Sequence, residues 1–549
     1  MDLLNSFYDV IIDSPVEPNS LILEPRWIKK GRMSCLLPLF QARSPYSEIS
    51  IHLHYRTENI SELYFTLVAF DECERVLSVD TLHFPLSDDW IDLSQTITVE
   101  NTMFQELFIN ASADTLRMRE SEAKSGVVIK DFDVWFDGKQ INLNAVPRAR
   151  TPLSKSDVTP FDSSDLSNLP FMEKKILAIG ETVHGTETFN QIATDIIKER
   201  ILRHNCRLVL LELPIEISFY INRYIVGDPN FSREYIIDYF DNLLFCSYIF
   251  ISLVEWIKEF NRHSEERVYF FGMDVWPGDR IGYLDSFDFF YTLNKTNNDE
   301  TLKEMGRLLL GESSSIEDVI SLFDANQGFE NSLTKGESKL VRHALLLLRN
   351  RLTTPELRDR VMYKNIQFFT ENFLPPGGTV TIFSHFGHAN YRSHLMRMTT
   401  MEEMAFGYYL RCRYQDDYSN IALITDRGSS LLGNSSRTRF EKKELQSSPI
   451  GSIEYLMNRL NMDAYLSMDR LTCSDALTIR TIGNAPVEES FFVFPKMRMD
   501  GAIFIREVSA IQKNEDRMNK EVHSLLWFLE RRRQAQLKVG LPAQTEPFY

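Results

Sequence analysis

The sequence predicts two folded parts, an all-β sandwich followed by an α/β domain whose parallel sheet carries helical cap insertions. Strand-like segments rich in β-branched and aromatic residues recur over residues 1–143, with turn residues between them. After residue 170, short apolar strands alternate with stretches of helical periodicity, which is the pattern of a parallel α/β sheet. A chain of 549 residues is also too long for one compact core, so at least two domains are expected.

Residues 1–143 are expected to form a jelly-roll-like β-sandwich. Apolar and polar side chains alternate with a period of two over residues 49–55, as they do in a half-buried antiparallel strand. Residues 63–70 and 127–135 have the composition of further strands. Residues 144–168 are rich in Pro, Ser, Asp and Arg and have little apolar surface to bury, so they are predicted to be a linker.

Residues 169–549 are expected to form the α/β domain. The first strand, 176–180, precedes an amphipathic helix over about 189–201, with Thr186 or Thr188 at its N-cap. The other predicted strands are 208–211, 268–272, 380–384, 421–424, 465–467 and 502–505.

Three helical stretches complete the predicted α/β domain. Two of them, 216–260 and 302–373, are longer than ordinary crossover connections and are predicted to form a cap over the strand ends. A last helix is expected over about 513–538. Its basic run, 531–533, is predicted to be a solvated helix end rather than a binding patch.

The charge and composition argue against several classes of protein. The formal net charge is −17 and the acidic residues are spread along the chain, so nucleic acid is not an expected partner. No apolar run reaches the ~20 residues needed to span a bilayer, and no membrane association is expected. The N-terminal residues do not resemble a secretory signal, and the six cysteines include no Cys-x-x-Cys pair. A cytoplasmic location is therefore expected.

Charged or imidazole side chains follow four of the predicted strands. In an open parallel sheet the carboxyl ends of the strands face one crevice, so residues far apart in sequence meet there. The sequence therefore predicts an active site at this edge of the sheet. Its residues are Glu181 and His184 after the first strand, Glu212 after the second, Asp274 after the third, and His385 and His388 after the fourth.

Some of these residues also have a structural interpretation. Glu181 and His184 lie at a glycine-bounded turn, where a carboxylate can cap the helix and an imidazole can make one structural hydrogen bond. Glu212 ends an apolar strand, and it needs a cationic or imidazole partner because burying it alone would cost several kcal/mol. Asp274 either caps a helix or orients an arginine.

The histidine pair leaves two chemistries open. Neutral imidazole both donates and accepts hydrogen bonds, so His385 and His388 either polarise a carbonyl group or bind a metal. In the second case Glu181 and His184 would complete the set of metal ligands. A histidine base activates water without a metal, and carboxylate partners suit such a base, so neither a metal nor a cofactor is expected.

Several common catalytic motifs are absent from the sequence. There is no G-x-S-x-G nucleophile elbow, no H-E-x-x-H zinc motif, no Walker A lysine motif and no G-x-G-x-x-G after the first strand. Covalent serine catalysis and nucleotide binding therefore lose support. The histidines and carboxylates that remain are the groups that activate water by general-base catalysis.

The order of these motifs resembles the erythromycin esterase family. The family's Gly-Glu-x-x-His-Gly-Thr signature is similar to residues 180–186, and its helix beginning Arg-Asp is similar to the segment that starts at Arg358 and Asp359. The resemblance covers about residues 169–512 and leaves the N-terminal β region unexplained. Further similar segments are the glutamate-ended strand 207–212, the Phe-Gly-Met-Asp strand 271–274, the Ser-His-x-x-His turn 384–388, and the closing elements 451–454 and 500–505.

The resemblance implies a carboxylic ester hydrolase that opens a macrolide lactone with water, an antibiotic-resistance activity, without a covalent intermediate. Its substrate would be a small-molecule ester or lactone. By position, the general base would be His184, the orienting carboxylates Glu181 and Glu212, the carbonyl- or oxyanion-binding groups His385 and His388, and the substrate-binding residues Asp274 and Arg358.

One position departs from the family pattern. The family has an arginine twelve residues after the first glutamate, and this position is Ala193 here. Losing a fixed cation near a developing oxyanion costs about 3 kcal/mol of transition-state stabilisation. Lys198 or an arginine from the cap is the candidate substitute.

Two other functions stay open. The missing arginine and the additional domain favour a tailoring enzyme that acts on a peptide or another acylated natural product. Alternatively, the sandwich recognises a sugar or a protein and the α/β domain is inactive, which would make the chain a binding protein. Three histidines at strand ends count against this alternative, because no structural role requires imidazole at all three positions.

Overall fold

The structure is a computed structural model of the chain. It describes residues 10–12, 21–23, 32–40, 46–70, 76–102, 104–113, 126–140, 153–167, 169–241, 247–275, 281–297, 300–311, 316–325, 333–353, 358–392, 404–433, 440–471, 477–483, 489–513 and 524–543.

The N-terminal region folds into two antiparallel sheets. One has the order β1-β2-β9-β4-β7, with β10 beside β9, and the other has the order β3-β8-β5-β6. Facing sheets of order β2-β9-β4-β7 and β3-β8-β5-β6 have the strand arrangement of a jelly roll. The strands are β1 (Val10–Ile12), β2 (Leu21–Leu23), β3 (Arg32–Phe40), β4 (Tyr46–Glu58), β5 (Ile60–Phe70), β6 (Val76–His83), β7 (Ile91–Thr102), β8 (Phe104–Ala113), β9 (Gly126–Phe136) and β10 (Lys139–Gln140).

The core of the sandwich is formed by the inward-facing residues of both sheets. Along β4, Ile49, Ile51 and Leu53 are buried while their neighbours in the chain are partly exposed, which confirms the predicted alternation. They pack in one cluster with Phe65 and Leu67 of β5, in the opposite sheet. A sheet with one apolar face is stable only when that face is covered, and the second sheet covers it.

Part of the predicted linker belongs to the α/β sheet. Thr159–Pro160 forms a short strand, β11, that pairs in antiparallel fashion with Ala464–Ser467. The neighbouring Val158 and Leu166 are buried. The ordered α/β structure therefore begins before residue 169, because this segment covers the edge of the sheet.

The α/β region contains a nine-stranded mixed sheet of order β11-β18-β21-β16-β12-β15-β13-β14, with β17 beside β16. From β21 to β14 the neighbouring strands of this path are all parallel. The strands after β11 are β12 (Ile176–Glu181), β13 (Cys206–Pro214), β14 (Tyr269–Asp274), β15 (Thr379–His385), β16 (Tyr418–Gly433), β17 (Phe440–Leu445), β18 (Ala464–Ser467), β19 (Leu477–Thr481), β20 (Glu489–Val493) and β21 (Gly501–Val508).

Helices connect these strands and share one large apolar core with them. Every residue of β12 is buried, as expected for a strand covered on both faces. The helices are α1 (Glu187–Arg203), α2 (Ile217–Ile225), α3 (Arg233–Asp241), α4 (Tyr248–His263), α5 (Ile281–Asn297), α6 (Glu300–Leu310), α7 (Ile316–Ala325), α8 (Lys335–Thr353), α9 (Arg358–Phe373), α10 (Phe386–Ala389), α11 (Phe406–Tyr414), α12 (Ile453–Asn458), α13 (Pro495–Arg498) and α14 (Ser524–Lys538).

The predicted helical stretches are divided into shorter helices. The first becomes α2, α3 and α4, and Pro229 lies in the break between α2 and α3 because proline cannot continue a helix interior. The second becomes α6 to α9. Most described residues of both predicted stretches are thus helical, and α9 begins at the carboxyl ends of the parallel strands. No helix of the described residues is long and apolar enough to cross a membrane.

The C-terminal basic run is solvated only in part. The side chain of Arg533 is 40% exposed, but Arg531 and Arg532 are not solvated, and for these two residues the prediction is wrong. The side chain of Arg531 is 12% exposed and pairs with Asp285 and Asp288 of α5. Arg532 is buried and donates to the carbonyl oxygen of Leu310 at 3.0 Å. The helix packs its basic face on α5 and α6, where carboxylates and a helix C-terminus supply acceptors. The predicted helical residues 514–523 lie outside the described residues.

Candidate active site

The strand ends bring all seven predicted site residues into one cluster. Apart from Arg358, each is at most 6% exposed. Glu181 pairs in register with His385, which places the ends of β12 and β15 side by side. Close packing here requires glycine, since a Cβ atom at Gly180 would lie 2.8 Å from the Cα atom of Phe386.

Glu181 and His184 form a hydrogen-bonded pair at the end of β12. Glu181 Oε1 lies 2.6 Å from His184 Nδ1. Gly185, with a φ of +76°, turns the chain after the histidine, and the backbone N–H of His184 donates to the carbonyl oxygen of Ile482 at 2.9 Å. Because Nδ1 faces the carboxylate, Nε2 is the ring nitrogen suited to accept a proton.

The carboxylate of this pair is deeply buried. Burial raises the pKa of Glu181, and the hydrogen bond to His184 acts in the opposite direction. Its second oxygen, Oε2, makes no hydrogen bond to any described residue. A buried carboxylate oxygen of this kind is a natural acceptor for a water molecule.

His385 packs directly against His184. The two ring centroids are 4.7 Å apart. His385 Nδ1 accepts the N–H of Gly387 at 3.1 Å, and Nε2 lies 3.0 Å from the hydroxyl oxygen of Thr481. Burial and the neighbouring His184 hold the pKa of His385 well below its usual range, so the ring is neutral and carries its proton on Nε2. Both ring nitrogens therefore have protein partners in this structure.

Glu212 and Asp274 bind one arginine, Arg358. The guanidinium group donates from Nε and Nη2 to the two oxygens of Asp274, at 2.9 and 2.6 Å, and from Nη2 to Glu212 Oε1 at 2.9 Å. Of the two structural roles predicted for Asp274, the structure thus shows the one of orienting an arginine. Glu212 Oε2 accepts the backbone N–H of His385 at 2.8 Å, which ties β13 to the histidine turn.

His388 lies between two carboxylates. Its Nδ1 is 3.0 Å from both carboxylate oxygens of Asp359, and its Nε2 is 3.4 Å from Glu212 Oε1 and 3.2 Å from Arg358 Nη1. Burial acts against protonation, but Asp359 and Glu212 outweigh it and raise the pKa of His388 to about 9. The ring is therefore an imidazolium at neutral pH, and its Nε2–H points to Glu212 rather than accepting from Arg358.

The charges of the site are mutually dependent. Burial alone would raise the pKa of Glu212, but the positive charges of His388 and Arg358 hold it well below its usual range. Burial likewise opposes the charge on Arg358, and Asp274 and Glu212 raise its pKa further above its ordinary value. The site thus has two parts. Arg358 and His388 carry positive charge, and the Glu181–His184 pair, beside the neutral His385, offers a base.

The cation missing at position 193 is not replaced from α1. Ala193 is fully buried in the core. Lys198 packs its ammonium group 5.8 Å from the ring centre of Trp256. Arg200 donates to the carbonyl oxygens of Lys174 and Val380, which lie at the amino ends of β12 and β15, opposite the site. The cations that the structure places at the site are Arg358 and His388.

Two residues at the site were given no role by sequence reasoning. Asp359 belongs to the Arg-Asp motif, and the acidic residue next to an arginine at a helix start was a signal that could have been used. Thr481 ends β19, in a separate two-stranded sheet, and nothing in its surroundings in the sequence distinguishes it. An isolated parallel bridge between Val183 and Ile482 brings this segment next to the His184 loop.

No group of three or more His, Cys, Asp and Glu side chains in the described part of the chain has the geometry to hold a metal ion. The carboxylates that face the histidines are engaged with Arg358, His184 or His388. Histidines that are hydrogen-bonded to carboxylates are suited to transfer protons to and from a bound molecule.

The fold and the site define an α/β protein with a buried histidine–carboxylate centre at the carboxyl ends of its parallel strands. The sequence model of the erythromycin esterase family matches residues 201–508, more than half of the chain, and the protein belongs to this family. The match confirms the resemblance predicted from the motifs. It includes Glu212, Arg358 and the histidine turn, and it begins after Glu181 and His184.

A comparison with solved structures found several that align with the α/β part of the chain at low sequence identity. A succinoglycan biosynthesis protein has 15% sequence identity and a TM-score of 0.50, with 65% of this chain and 95% of that chain covered. A Bacillus cereus protein has 16% identity and a TM-score of 0.47, covering 67% and 97%. A mutant of the erythromycin esterase EreC, in its open conformation, has 15% identity and a TM-score of 0.44, covering 65% and 98%. No curated protein sequence matches the chain significantly.

Proposed function

We propose that the protein is a carboxylic ester hydrolase that adds water to a lactone or ester of a macrolide-like natural product. Family membership supports a hydrolase. His184 Nε2 takes a proton from water while the water oxygen adds to the carbonyl carbon. The tetrahedral oxyanion then collapses, the bond from carbon to the alcohol oxygen breaks, and the proton on His184 passes to the leaving alkoxide. One water is consumed, and an acid and an alcohol are formed.

The Glu181–His184 pair carries this proposal. A buried carboxylate 2.6 Å from Nδ1 orients the imidazole and stabilises the imidazolium that forms when Nε2 accepts a proton. The second oxygen of Glu181, without a hydrogen bond to any described residue, is proposed to accept a hydrogen bond from a second water molecule that holds the carboxylate in place, while the attacking water binds at Nε2. Glu212 orients this assembly through the backbone of His385.

The two cations at the site are proposed to stabilise the oxyanion. His388 and Arg358 are next to each other, with 3.2 Å between Nε2 and Nη1. A fixed positive charge near a developing oxyanion is worth about 3 kcal/mol or more in a site without water. Asp274 holds Arg358 in place for this purpose. His385, whose ring nitrogens bind Gly387 and Thr481, is proposed to position His184 and Glu212 until a substrate displaces one of these contacts.

The first test is mass spectrometry of macrolactones, simple esters and acylated peptides after incubation with the wild type and with His184→Ala. We expect one compound class to gain the mass of one water, at a rate lowered by about 10²- to 10⁴-fold in the variant. The matched control is His263→Ala, since His263 is 77% exposed on α4. Full activity of His184→Ala, with retained circular dichroism, would contradict the general-base proposal.

A peptide-tailoring activity at the same site is the second candidate function. The observation that favours it is Ala193, which leaves this chain without the family's arginine. The same mass spectrometry distinguishes the two functions, because a lactone opening adds one water to the macrocycle. Processing of an acylated peptide while all lactones stay intact would support the tailoring function. No change in any compound would favour a binding protein.

The outer face of the sandwich is proposed to bind a sugar. His54 stacks on Trp90, which is 37% exposed, with 4.8 Å between ring centres, and His54 Nδ1 lies 2.7 Å from Asp92 Oδ1. On the same face, Trp135 stands opposite Ser50. Aromatic rings flanked by carboxylates and hydroxyls offer both apolar contact and hydrogen bonds to a sugar.

Calorimetric titration of the full chain with a panel of oligosaccharides tests the proposed sugar binding. Trp135→Ala should abolish the heat of binding, whereas Leu77→Ala, at an exposed position of β6 in the opposite sheet, should not change it. Absence of binding by the wild type to any oligosaccharide would favour a protein partner instead.

A further inference from the structure

We infer that Asp359 is a positioning residue, which holds the His388 imidazole in one orientation with Nδ1 toward its carboxylate and Nε2 toward Glu212. The effect of this orientation on catalysis rests on the proposed hydrolase function, but the orientation itself does not.

The geometry of the contact allows one orientation of the ring. Both oxygens of Asp359 lie 3.0 Å from His388 Nδ1, and each residue is 3% exposed. A flip of the imidazole would put a ring carbon where Nδ1 now faces the two oxygens, and the hydrogen bonds would be lost. The carboxylate therefore opposes the flip. Charge-assisted hydrogen bonds of this kind are about twice as strong as neutral ones.

Asp359 is itself held by a second element. Its Oδ1 accepts the backbone N–H of Phe406 at 2.9 Å, where α11 begins. Asp359 also stands in the first turn of α9, directly after Arg358. Consecutive residues of one helical turn thus serve two purposes, because Arg358 binds Glu212 and Asp274 while Asp359 binds His388.

The groups that face His388 explain why the carboxylate matters for its charge. Among them are Asp359 from α9, Glu212 from β13, Arg358 from α9 and the neutral His385. Glu212 is shared with Arg358, whereas Asp359 meets the imidazole with both oxygens. Removing the charge of Asp359 leaves the imidazolium beside a guanidinium, with one carboxylate between them, so its proton is held less tightly.

The test is a titration of histidine signals by nuclear magnetic resonance in the wild type, Asp359→Asn and Asp359→Glu, with the His388 signal assigned through His388→Gln. The wild-type midpoint should lie near pH 9. In Asp359→Asn it should fall by at least one pH unit, a tenfold or larger loss in proton affinity, and Asp359→Glu should restore most of it. The matched control is Asp463→Asn, since Asp463 Oδ1 also accepts a backbone N–H, from Arg506.

Each outcome has a defined meaning. A wild-type midpoint at or below 6.5, or an unchanged midpoint in Asp359→Asn, would overturn the inference even if esters are hydrolysed. A shifted midpoint in a protein that hydrolyses no ester would support the positioning role and contradict the proposed hydrolase function. If an ester substrate is found, Asp359→Asn should lower kcat with little change in KM, because the imidazolium would act on the oxyanion. Should Asp359→Asn fail to fold, the wild-type and Asp359→Glu titrations alone decide.

Discussion

The two regions of the molecule treat polar side chains in opposite ways. In the sandwich, the buried polar groups among the side chains that the structure describes are uncharged hydroxyls, those of Thr57, Tyr46 and Tyr55, and the rest of that buried set is apolar. At the strand ends of the α/β region, Glu212, Asp274, Asp359 and His388 are all buried. Ionised groups cost several kcal/mol to bury unless they are paired, and the buried groups at these strand ends are paired with one another. The contrast places the buried carboxylates, imidazoles and guanidinium groups of the described residues in the α/β region.

Removal of the Arg358 guanidinium group tests whether the α/β site depends on its ion pairs. Arg358→Met removes the cation shared by Glu212 and Asp274, whose side chains are 8% and 0% exposed. We expect the free energy of unfolding to fall by about 3 kcal/mol, because two buried carboxylates lose a partner. Urea denaturation followed by circular dichroism measures this loss.

The control for Arg358 is an exposed ion pair. Arg342 donates to Asp324 at 2.7 Å, but the two side chains are 56% and 36% exposed. Arg342→Met should lower the free energy of unfolding by less than about 1 kcal/mol, as solvated pairs do. Equal losses in the two variants would show that the cluster around Arg358 is no more than a surface salt bridge.

The next effect concerns the dependence of stability on pH. Glu454, at the start of α12, is fully buried, and burial raises its pKa to about 7 against the hydrogen bond that its Oε1 accepts from the backbone N–H of Arg480. A folded-state pKa above the unfolded value means that the folded state binds the proton more tightly. The stability that this proton contributes is full below pH 4.5 and is lost as the pH rises through about 7.

Glu454→Gln should remove that dependence. The free energy of unfolding of the variant, relative to the wild type, should increase by about 3 kcal/mol between pH 4.5 and pH 8. Urea denaturation at both pH values measures it. Glu444→Gln is the control, since the side chain of Glu444 is 67% exposed. A difference between Glu454→Gln and wild type that stays constant with pH would show that Glu454 titrates as an ordinary surface glutamate.

Sequence reasoning predicted the fold class because both regions follow local rules. The alternation over 49–55 matches β4, and the apolar runs match the buried strands β12 to β15. The burial of Arg531 escaped prediction, because its partners Asp285 and Asp288 lie more than two hundred residues earlier in the chain. Unlike the ends of parallel strands, the two helices that carry these residues follow no topological rule that brings them together in advance.

The candidate site was predictable for residues that follow parallel strands and unpredictable for those that support them. Glu181, Glu212 and His385 stand where the strands end, so the topology alone brings them together. Thr481 reaches His385 from a separate small sheet, and only the folded chain shows this approach. The distances that distinguish the cationic His388 from the neutral His385 are likewise absent from a sequence.

A threonine-to-valine substitution is expected to have a small but different effect in each of the two regions. Thr57 and Thr481 are both 3% exposed, and both hydroxyls are hydrogen-bonded. In the sandwich, Thr57 Oγ1 accepts the N–H of Ser87 at 2.9 Å and donates to the carbonyl oxygen of the same residue at 3.2 Å. Thr57→Val should lower the free energy of unfolding by about 1 kcal/mol, which is typical for a lost hydrogen bond, and should leave the kcat for any ester substrate unchanged.

Thr481→Val should affect the reaction instead. It removes the oxygen that lies 3.0 Å from His385 Nε2, so the neutral ring loses one hydrogen-bond partner and keeps the N–H of Gly387 and its packing against His184. A loss of about 1 kcal/mol in the positioning of the base corresponds to an approximately fivefold lower kcat. Initial-rate assays of ester hydrolysis give kcat for both variants, and urea denaturation gives their free energies of unfolding. If Thr57→Val lowers kcat as much as Thr481→Val does, a buried hydroxyl has the same role in both regions. The proposal that the sandwich is structural and the α/β region carries out the reaction would then be wrong.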